Sequence, residues 1–411
     1  MAISLTESLH IGFADILTRK VRSAVTIIGI VLGVMSIMVV LAIVNGMNKS
    51  TLDWMQERGG LTKIEVRQNW SYDFSRGGEA SFDLKEINFI RRLIPEAAAF
   101  NPQILLRGSI LQYGELDYSG PVFGTLPDLT KVEDWELKSG RFFSNLDVDN
   151  HSNVIVLGST VNEELFGSRS SLGEYLSLRG QKLMVIGVLT PKYLANQGNS
   201  GAFGDNALEY MNRRSYIPIS TLLSKIEPSQ KIGSIEIKAQ SPETARELRQ
   251  KLDNIILNLK QGRQLFNVSS AQEEMETMKK NMIVFTAIFF LIGVISLLVG
   301  GIVIMNIMLA SVKERTREIG VRIAIGARSR DIFIQFLVQT VLITSLGGLL
   351  GILLGYAILD LVSNYLNLQL LASVQMIWTA LLVSVGVGLL FGIMPALRAS
   401  KLDPVEALRE E

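Results

Sequence analysis

Four uninterrupted apolar runs punctuate the chain: Ser23–Met47, Met282–Ala310, Ile332–Leu359 and Met376–Leu397. None contains Asp, Glu, Lys or Arg. Each reaches the roughly 20 residues that a helix needs to cross about 30 Å of hydrocarbon, so each predicts a membrane helix. A core helix of a water-exposed domain is usually shorter and polar on one face. The first run is longer and starts later than a signal-peptide core and lacks a small-residue cleavage site, so it reads as a retained helix.

Between the first two runs the pattern changes. Leu61–Gln68 alternates like a strand, and Asp83–Ile94 sets Leu84, Ile87, Ile90 and Ile94 at helical spacing behind Asp83 as a cap. Asn153–Gly158 and Lys182–Leu189 read as buried strands, with Ser159 as the N-cap of a following helix. Ser234–Gln240 reads as a strand, and Ser241–Lys260 as a helix with Ser241 and Thr244 available for capping. A βαβ-like unit thus stands at each end, with a strand-rich middle, about 102–226, inserted as a second subdomain. Ala195–Asn212 is Gly/Asn-rich and reads as a mobile loop. The fold class is a polytopic α-helical membrane protein with four transmembrane helices (23–47, 282–310, 332–359, 376–397) and a large extracytoplasmic α+β domain (48–281).

The remaining pieces are short. Residues 1–22 form an amphipathic interface helix, with Leu5, Leu9, Phe13 and Ile16 on one face. Residues 311–331 join the second and third helices, 360–375 make a short outer loop, and 398–411 a tail. Basic residues in short loops mark the cytoplasmic side. Arg19, Lys20 and Arg22 precede the first helix, six Lys/Arg lie in 311–331, and Arg398, Lys401 and Arg409 follow the fourth. The loop Val362–Gln375 carries no charge. Both termini and 311–331 are therefore expected in the cytoplasm, with 48–281 outside.

Segment 311–331 is more than an anchor. Val312, Thr316, Ile319 and Ile323 form one helical stripe, and Glu318 and Arg322 an i, i+4 pair. Gly320 and Gly326 allow close approach or termination. Anchoring to anionic lipid explains Lys and Arg but does not call for Glu314 and Glu318. Mixed signs suit a protein docking surface, where complementary charges fix register.

Composition narrows the chemistry. Of 411 residues 48% are hydrophobic and 19% charged, which fits a mixed membrane architecture. A net charge of +1 gives no field favouring nucleic acid. There is no cysteine, so disulfides, thiolate metal sites and cysteine nucleophiles are excluded. The only two histidines, His10 and His151, fall on opposite sides of the expected membrane, which excludes a multi-His metal site. Asp147 and Asp149 form an acidic turn better read as a solvated loop than a cation site. No apolar run carries an ionisable group, which disfavours an ion-coupled carrier. Asn306, Gln335, Gln339 and Ser384 read as helix-joining polar groups. No P-loop occurs, so any ATP is expected on a cytoplasmic partner. Gly29/Gly33, Gly347/Gly351/Gly355 and Gly388/Gly392 have small-xxx-small spacing, serving packing either within a subunit or between subunits.

Met305–Ile332, "MNIMLASVKERTREIGVRIAIGARSRDI", resembles the signature between the second and third helices of MacB/FtsX-type ABC transporter permeases. Gly392–Glu411 is similar to that family's C-terminal signature, and Leu137–Ser144, Val154–Gly167 and Ser171–Leu189 to its extracytoplasmic core domain. The resemblance implies a bacterial inner-membrane protein whose outer part is a porter-like subdomain with an inserted strand-rich one. It implies a non-catalytic membrane subunit, in a homodimer or pseudo-dimer, served by a separate cytoplasmic ABC ATPase that binds ATP and Mg. Lys313, Glu314, Arg315, Arg317, Glu318, Gly320 and Arg322 would then lie in the ATPase-coupling region. A periplasmic adaptor protein and membrane lipid are further expected partners; no cofactor is expected on this chain itself. The expected activity is export of a peptide, antibiotic, lipid or lipoprotein by mechanotransmission. The alternative is an FtsX-like regulator that switches an outside partner, such as a cell-wall hydrolase, without transport.

Overall fold

The computed structural model describes residues 20–193, 208–366 and 372–409. The interface-helix residues Leu5, Leu9, Phe13 and Ile16, and most of the Gly/Asn-rich stretch, lie outside them. The chain forms two compact units: 49–280, here called the head, and a membrane unit of the remaining residues.

Helix α1 (Lys20–Glu57) continues ten residues past the apolar run. Two glycines stop it. Gly59 and Gly60 have φ of +100° and +76°, and the Met55 carbonyl accepts from the Gly60 N–H at 3.0 Å, a left-handed cap closed to most side chains. A Cβ on Gly59 would lie 2.1 Å from the Val132 carbonyl oxygen.

The head follows from β1 (Lys63–Gln68) through α2 (Leu84–Leu93), β2 (Ala99–Leu106), β3 (Ile110–Tyr113), β4 (Leu116–Ser119), β5 (Val122–Thr125), α3 (Leu129–Val132), β6 (Leu137–Gly140), α4 (Asn145–Asp149) and β7 (Val154–Leu157). It continues with α5 (Ser159–Phe166), β8 (Tyr175–Leu178), β9 (Gln181–Leu189), α6 (Glu209–Asn212), β10 (Ser215–Pro218), β11 (Ser234–Lys238), α7 (Pro242–Leu259) and β12 (Phe266–Ser270). The strands make one sheet in the order β12-β1-β11-β2-β5-β10-β7-β9-β8-β3-β4, with β6 added beside β9.

The two expected βαβ units are split ones. β1 and β2 are both antiparallel to β11, which lies between them. Likewise β11 and β12 flank β1. The two units interleave, so the chain enters by β1 and leaves by the neighbouring β12, with Ile64 opposite Ser270. The strand-rich excursion leaves after β2, whose first half pairs with β11 and whose second half pairs with β5.

Caps fix the helices. Asp83 and Glu86 form a capping box on α2, and Ser241 accepts from the Thr244 N–H on α7. Helix α5 departs from expectation: Gly158, not Ser159, is its cap, and Ser159 is its first, buried residue. A side chain at 158 is excluded, because a Cβ there would lie 2.2 Å from the Asn212 carbonyl oxygen.

The membrane unit holds α8 (Ala271–Glu314), α9 (Thr316–Ala324), α10 (Ser329–Leu366), α11 (Val374–Ser400) and α12 (Pro404–Arg409). Among the described residues four helices are long and apolar enough to cross a membrane: α1, α8, α10 and α11. At 1.5 Å per residue α1 and α8 are about 57 and 66 Å long, well beyond the hydrocarbon thickness. Glycines let these helices meet. Built Cβ atoms would lie 3.2 Å from the Gly300 Cα at Gly29, 2.7 Å from Leu297 at Gly33, and 3.0, 2.9 and 3.0 Å from Ile30, Val34 and Met38 at Gly347, Gly351 and Gly355. Helix α1 thus packs on both α8 and α10 within one subunit. Gly388 and Gly392 sit against Thr344 and Thr340, and Ser384 Oγ donates to the Thr344 carbonyl at 2.8 Å, joining α11 to α10.

Candidate functional site

Two charged constructions stand out, one in each unit. In the membrane unit, α8 ends at Glu314 and the chain bends at Arg315 (φ −109°) into α9. Helix α9 is fixed along one face. Ile319 and Gly320 are buried, and a Cβ on Gly320 would lie 2.6 Å from the Ala407 Cβ of α12. Arg322 donates to Gln335 Oε1 of α10 at 3.0 Å and to Glu318 Oε1 at 2.6 Å. Gly326, at φ +99°, ends the elbow before α10 begins.

The other face of the elbow is open. Lys313, Glu314, Arg317 and Glu318 are exposed, and Arg315 and Arg322 half-buried. Val321 and Ile325, 43% and 79% exposed, add apolar surface beside them. The exposed face thus combines apolar side chains with charges of both signs. The structure therefore gathers Lys313, Glu314, Arg315, Arg317, Glu318, Gly320 and Arg322 into one elbow, with Gly320 and Arg322 holding it, Arg315 half-buried and the other four exposed.

The second construction lies inside the head and was not expected from the sequence. Lys63 of β1, 3% exposed, reaches Glu133 at 2.6 Å, Glu236 at 3.0 Å and Glu65 at 3.1 Å. Arg58, just after α1, donates to Glu65 at 3.0 Å and lies 4.3 Å over the Trp54 ring. Lys192 donates to the backbone carbonyl of Glu57, the last residue of α1, and to that of Glu133 at 2.8 Å. Gln103 of β2 donates to Glu236 at 2.6 Å. On the exit side, Arg246 and Arg249 of α7 pair with Glu276 and Glu273 in the first turns of α8, at 2.7 and 3.0 Å. The ends of both long helices that belong to the head are thus held by charge.

Electrostatics sort the three glutamates. Burial alone would raise Glu65, but Lys63, Arg67 and Arg58 outweigh it and hold its carboxyl at about 2. Burial also works against Glu133, yet Lys63 and Arg214 keep it below the ordinary range. For Glu236 burial wins: it and the neighbouring Glu133 and Glu65 charges push the group up to about 7 against the pull of Lys63. Lys63 is itself raised, its carboxylates overcoming burial, while burial lowers Lys192.

The other candidates resolve plainly. Asp147 is consumed by Arg141 at 2.7 Å and by the Ser144 cap of α4, which depress its pKa. His151 is exposed, its Nδ1 3.2 Å from Ser224 Oγ; His10 lies outside the described residues. Among the described residues no group of three or more His, Cys, Asp or Glu could hold a metal ion.

Comparison with known proteins agrees with this architecture. Residues 23–255 match the MacB-like periplasmic core domain, and 290–404 the FtsX-like permease C-terminal family. The macrolide export ATP-binding/permease protein MacB of Bdellovibrio bacteriovorus is 32% identical over 99% of this chain and 62% of its own length. The protein of that name from Rhodospirillum rubrum is 31% identical over 100% of this chain and 61% of its own. The chain spans about three-fifths of the length of these relatives. The crystal structure of the periplasmic region of MacB from Actinobacillus actinomycetemcomitans aligns at 20% identity and a TM-score of 0.45, over 56% of this chain and 97% of that one. With a core-domain match over more than half its residues and a permease match from within α8 to the end of α11, this chain belongs to the family of MacB-like, FtsX-type ABC transporter permeases.

Proposed function

We propose that the chain is the non-catalytic membrane subunit of an ABC exporter whose ATPase docks on the 311–331 elbow from the cytoplasm. ATP and Mg are bound by that ATPase. Closure of the ATPase pushes the elbow, and α1 and α8 carry the displacement to the head, which expels the substrate without passing it between the helices. The names of the curated relatives bring macrolide-like antibiotics to the head of a substrate range that includes peptides, lipids and lipoproteins. The observation that carries the proposal is the two-faced elbow: one face fixed by Ile319, Gly320 and Arg322, the other displaying Glu314, Arg317, Glu318, Val321 and Ile325. The charged ties at Arg58, Lys192, Arg246 and Arg249 support transmission, since a helix can move the head only if its end is fixed there. A second copy of the permease would cover α8, where Ile283, Phe285, Phe289, Leu291 and Ile295 stand exposed.

The test is association. Glu314→Lys combined with Glu318→Lys should abolish co-purification of the ATPase while membrane insertion stays intact and thermal stability falls only by the small amount of the lost Glu318–Arg322 pair. Association that survives reversal removes the docking assignment. In vesicles carrying the assembled complex, hydrolysis stimulated by a transported compound supports export. Stimulation only by an extracytoplasmic protein favours a signalling role.

A further inference from the structure

A groove in the head has the dimensions and lining of a ligand site. It encloses about 340 Å³, within the roughly 300–1,000 Å³ usual for small-molecule sites. Helix α2 gives it Leu84, Ile87, Asn88 and Arg91, an i, i+3, i+4, i+7 stripe. Phe100 and Pro102 of β2 line it too, as do Ile219 and Leu223 from the helical turns after β10. Its walls therefore come from both the interleaved βαβ half and the inserted excursion.

The polar inventory is small and mostly committed. Ser220 Oγ donates to the Val148 carbonyl, and Ser224 faces His151. No carboxylate lines the groove. Arg91 is exposed and, among the described residues, forms no side-chain hydrogen bond or ion pair. A single unpaired guanidinium at an apolar groove favours an anion there, held bidentately, and disfavours a cation. An adjoining hollow of about 490 Å³ shares Leu84 and Leu223 but is lined also by Asp83, Lys85, Gln230 and Lys231, so the apolar body is confined to the groove itself.

We propose that this groove binds an amphiphile whose apolar body packs against Ile87, Phe100 and Leu223 and whose anionic group sits on Arg91. A fatty-acid carboxylate and a single-chain phospholipid phosphate offer the same chemistry. The binding requires no ATPase, so it stands or falls separately from the elbow assignment.

The experiment uses the full chain in nanodiscs of zwitterionic lipid, without nucleotide. Three photoreactive probes of equal chain length are compared: a diazirine dodecanoate, a diazirine lysophosphatidate and the uncharged diazirine dodecanol. Cross-links are mapped by mass spectrometry. Labelling of 84–91 and 219–224 by an anionic probe is expected. The carboxylate probe alone marks a fatty-acid site, the phosphate probe alone a lipid-headgroup site, and both together a general anion site; each supports the proposal. Arg91→Glu should lower that labelling at least about tenfold, the equivalent of about 1.4 kcal/mol, and Arg91→Lys should retain most of it. Leu223→Trp, which fills the groove, should also abolish it. The proposal is overturned if dodecanol labels the groove as well as the anions do, if Arg91→Glu leaves labelling unchanged, or if cross-links fall only on the membrane helices.

Discussion

Replacing Lys63 with methionine removes one buried cation and leaves Glu65, Glu133 and Glu236 facing one another. At the observed 3.1 and 2.6 Å, the contacts to the ionised Glu65 and Glu133 are each worth about 5–6 kcal/mol of gross attraction at an effective dielectric constant near 20, and Glu236, held at about 7, adds less. Desolvation offsets most of this, and breaking one side of a buried ion pair costs about 3–5 kcal/mol net. The Lys63 side chain is only 4% exposed, so solvent does not screen the loss. Urea unfolding followed by tryptophan fluorescence reads it directly. Trp54 sits 4.3 Å from Arg58, and Trp135 5.3 Å from Lys192. Trp70→Phe and Trp378→Phe remove the remote signals. The expected loss is about 3–5 kcal/mol. Adding Glu133→Gln should return about 2 kcal/mol of it, because coupled neighbours are not additive. A Lys63→Met loss below about 1 kcal/mol would put the ion cluster in the range of an exposed pair and refute its role in holding the head together.

Two further outcomes follow from the same geometry. Glu236 is held at about 7, above the 4.5 of an ordinary glutamate, so the folded head binds its proton more tightly than the unfolded chain does. Its contribution is fully present below pH 4.5 and is lost as pH rises to 7, at up to about 1.4 kcal/mol per pH unit. Melting temperatures across that range should show this slope, and Glu236→Gln should flatten it; an unchanged slope contradicts the assignment. In the membrane unit, Gly351→Leu drives a side chain into Val34, against which a Cβ already lies at 2.9 Å. Overpacking of this kind costs about 1–3 kcal/mol, read as a lower melting temperature in nanodiscs. Gly386→Leu, where a Cβ meets nothing within 4 Å, should be neutral.

Much of this architecture was legible, for identifiable reasons. Run length alone exposes four membrane helices, because lipid tolerates no charge in them. Asp83 and Ser241 reveal their helices because a cap is a local hydrogen bond. The helix ends were less visible. α1 runs on to Glu57 and α8 starts at Ala271, through polar sequence that a hydropathy run cannot register. Ser159 looked like a cap, but the crowding that demands glycine at 158 comes from Asn212 and Arg214, distant in sequence. The ion cluster was hidden for the same reason. Alternation in β1 sends Lys63 and Glu65 to a face that reads as solvated, whereas Glu133, 70 residues away in sequence, reaches Lys63 there and Arg58 reaches Glu65. Only the strand order, with Glu65 opposite Glu236, brings the three carboxylates onto one lysine. In the elbow, the charges were visible, but the burial of Gly320 against Ala407 was not.

The account rests on the elbow facing ATP and the head facing away from it. The chain has no cysteine, so single cysteines introduced at Ser71 in the head and Arg317 in the elbow report sidedness without background. In right-side-out vesicles a membrane-impermeant maleimide should label Ser71→Cys and leave Arg317→Cys untouched until the vesicles are permeabilised. Labelling of Arg317→Cys in sealed right-side-out vesicles would place the elbow away from the nucleotide and contradict the mechanism.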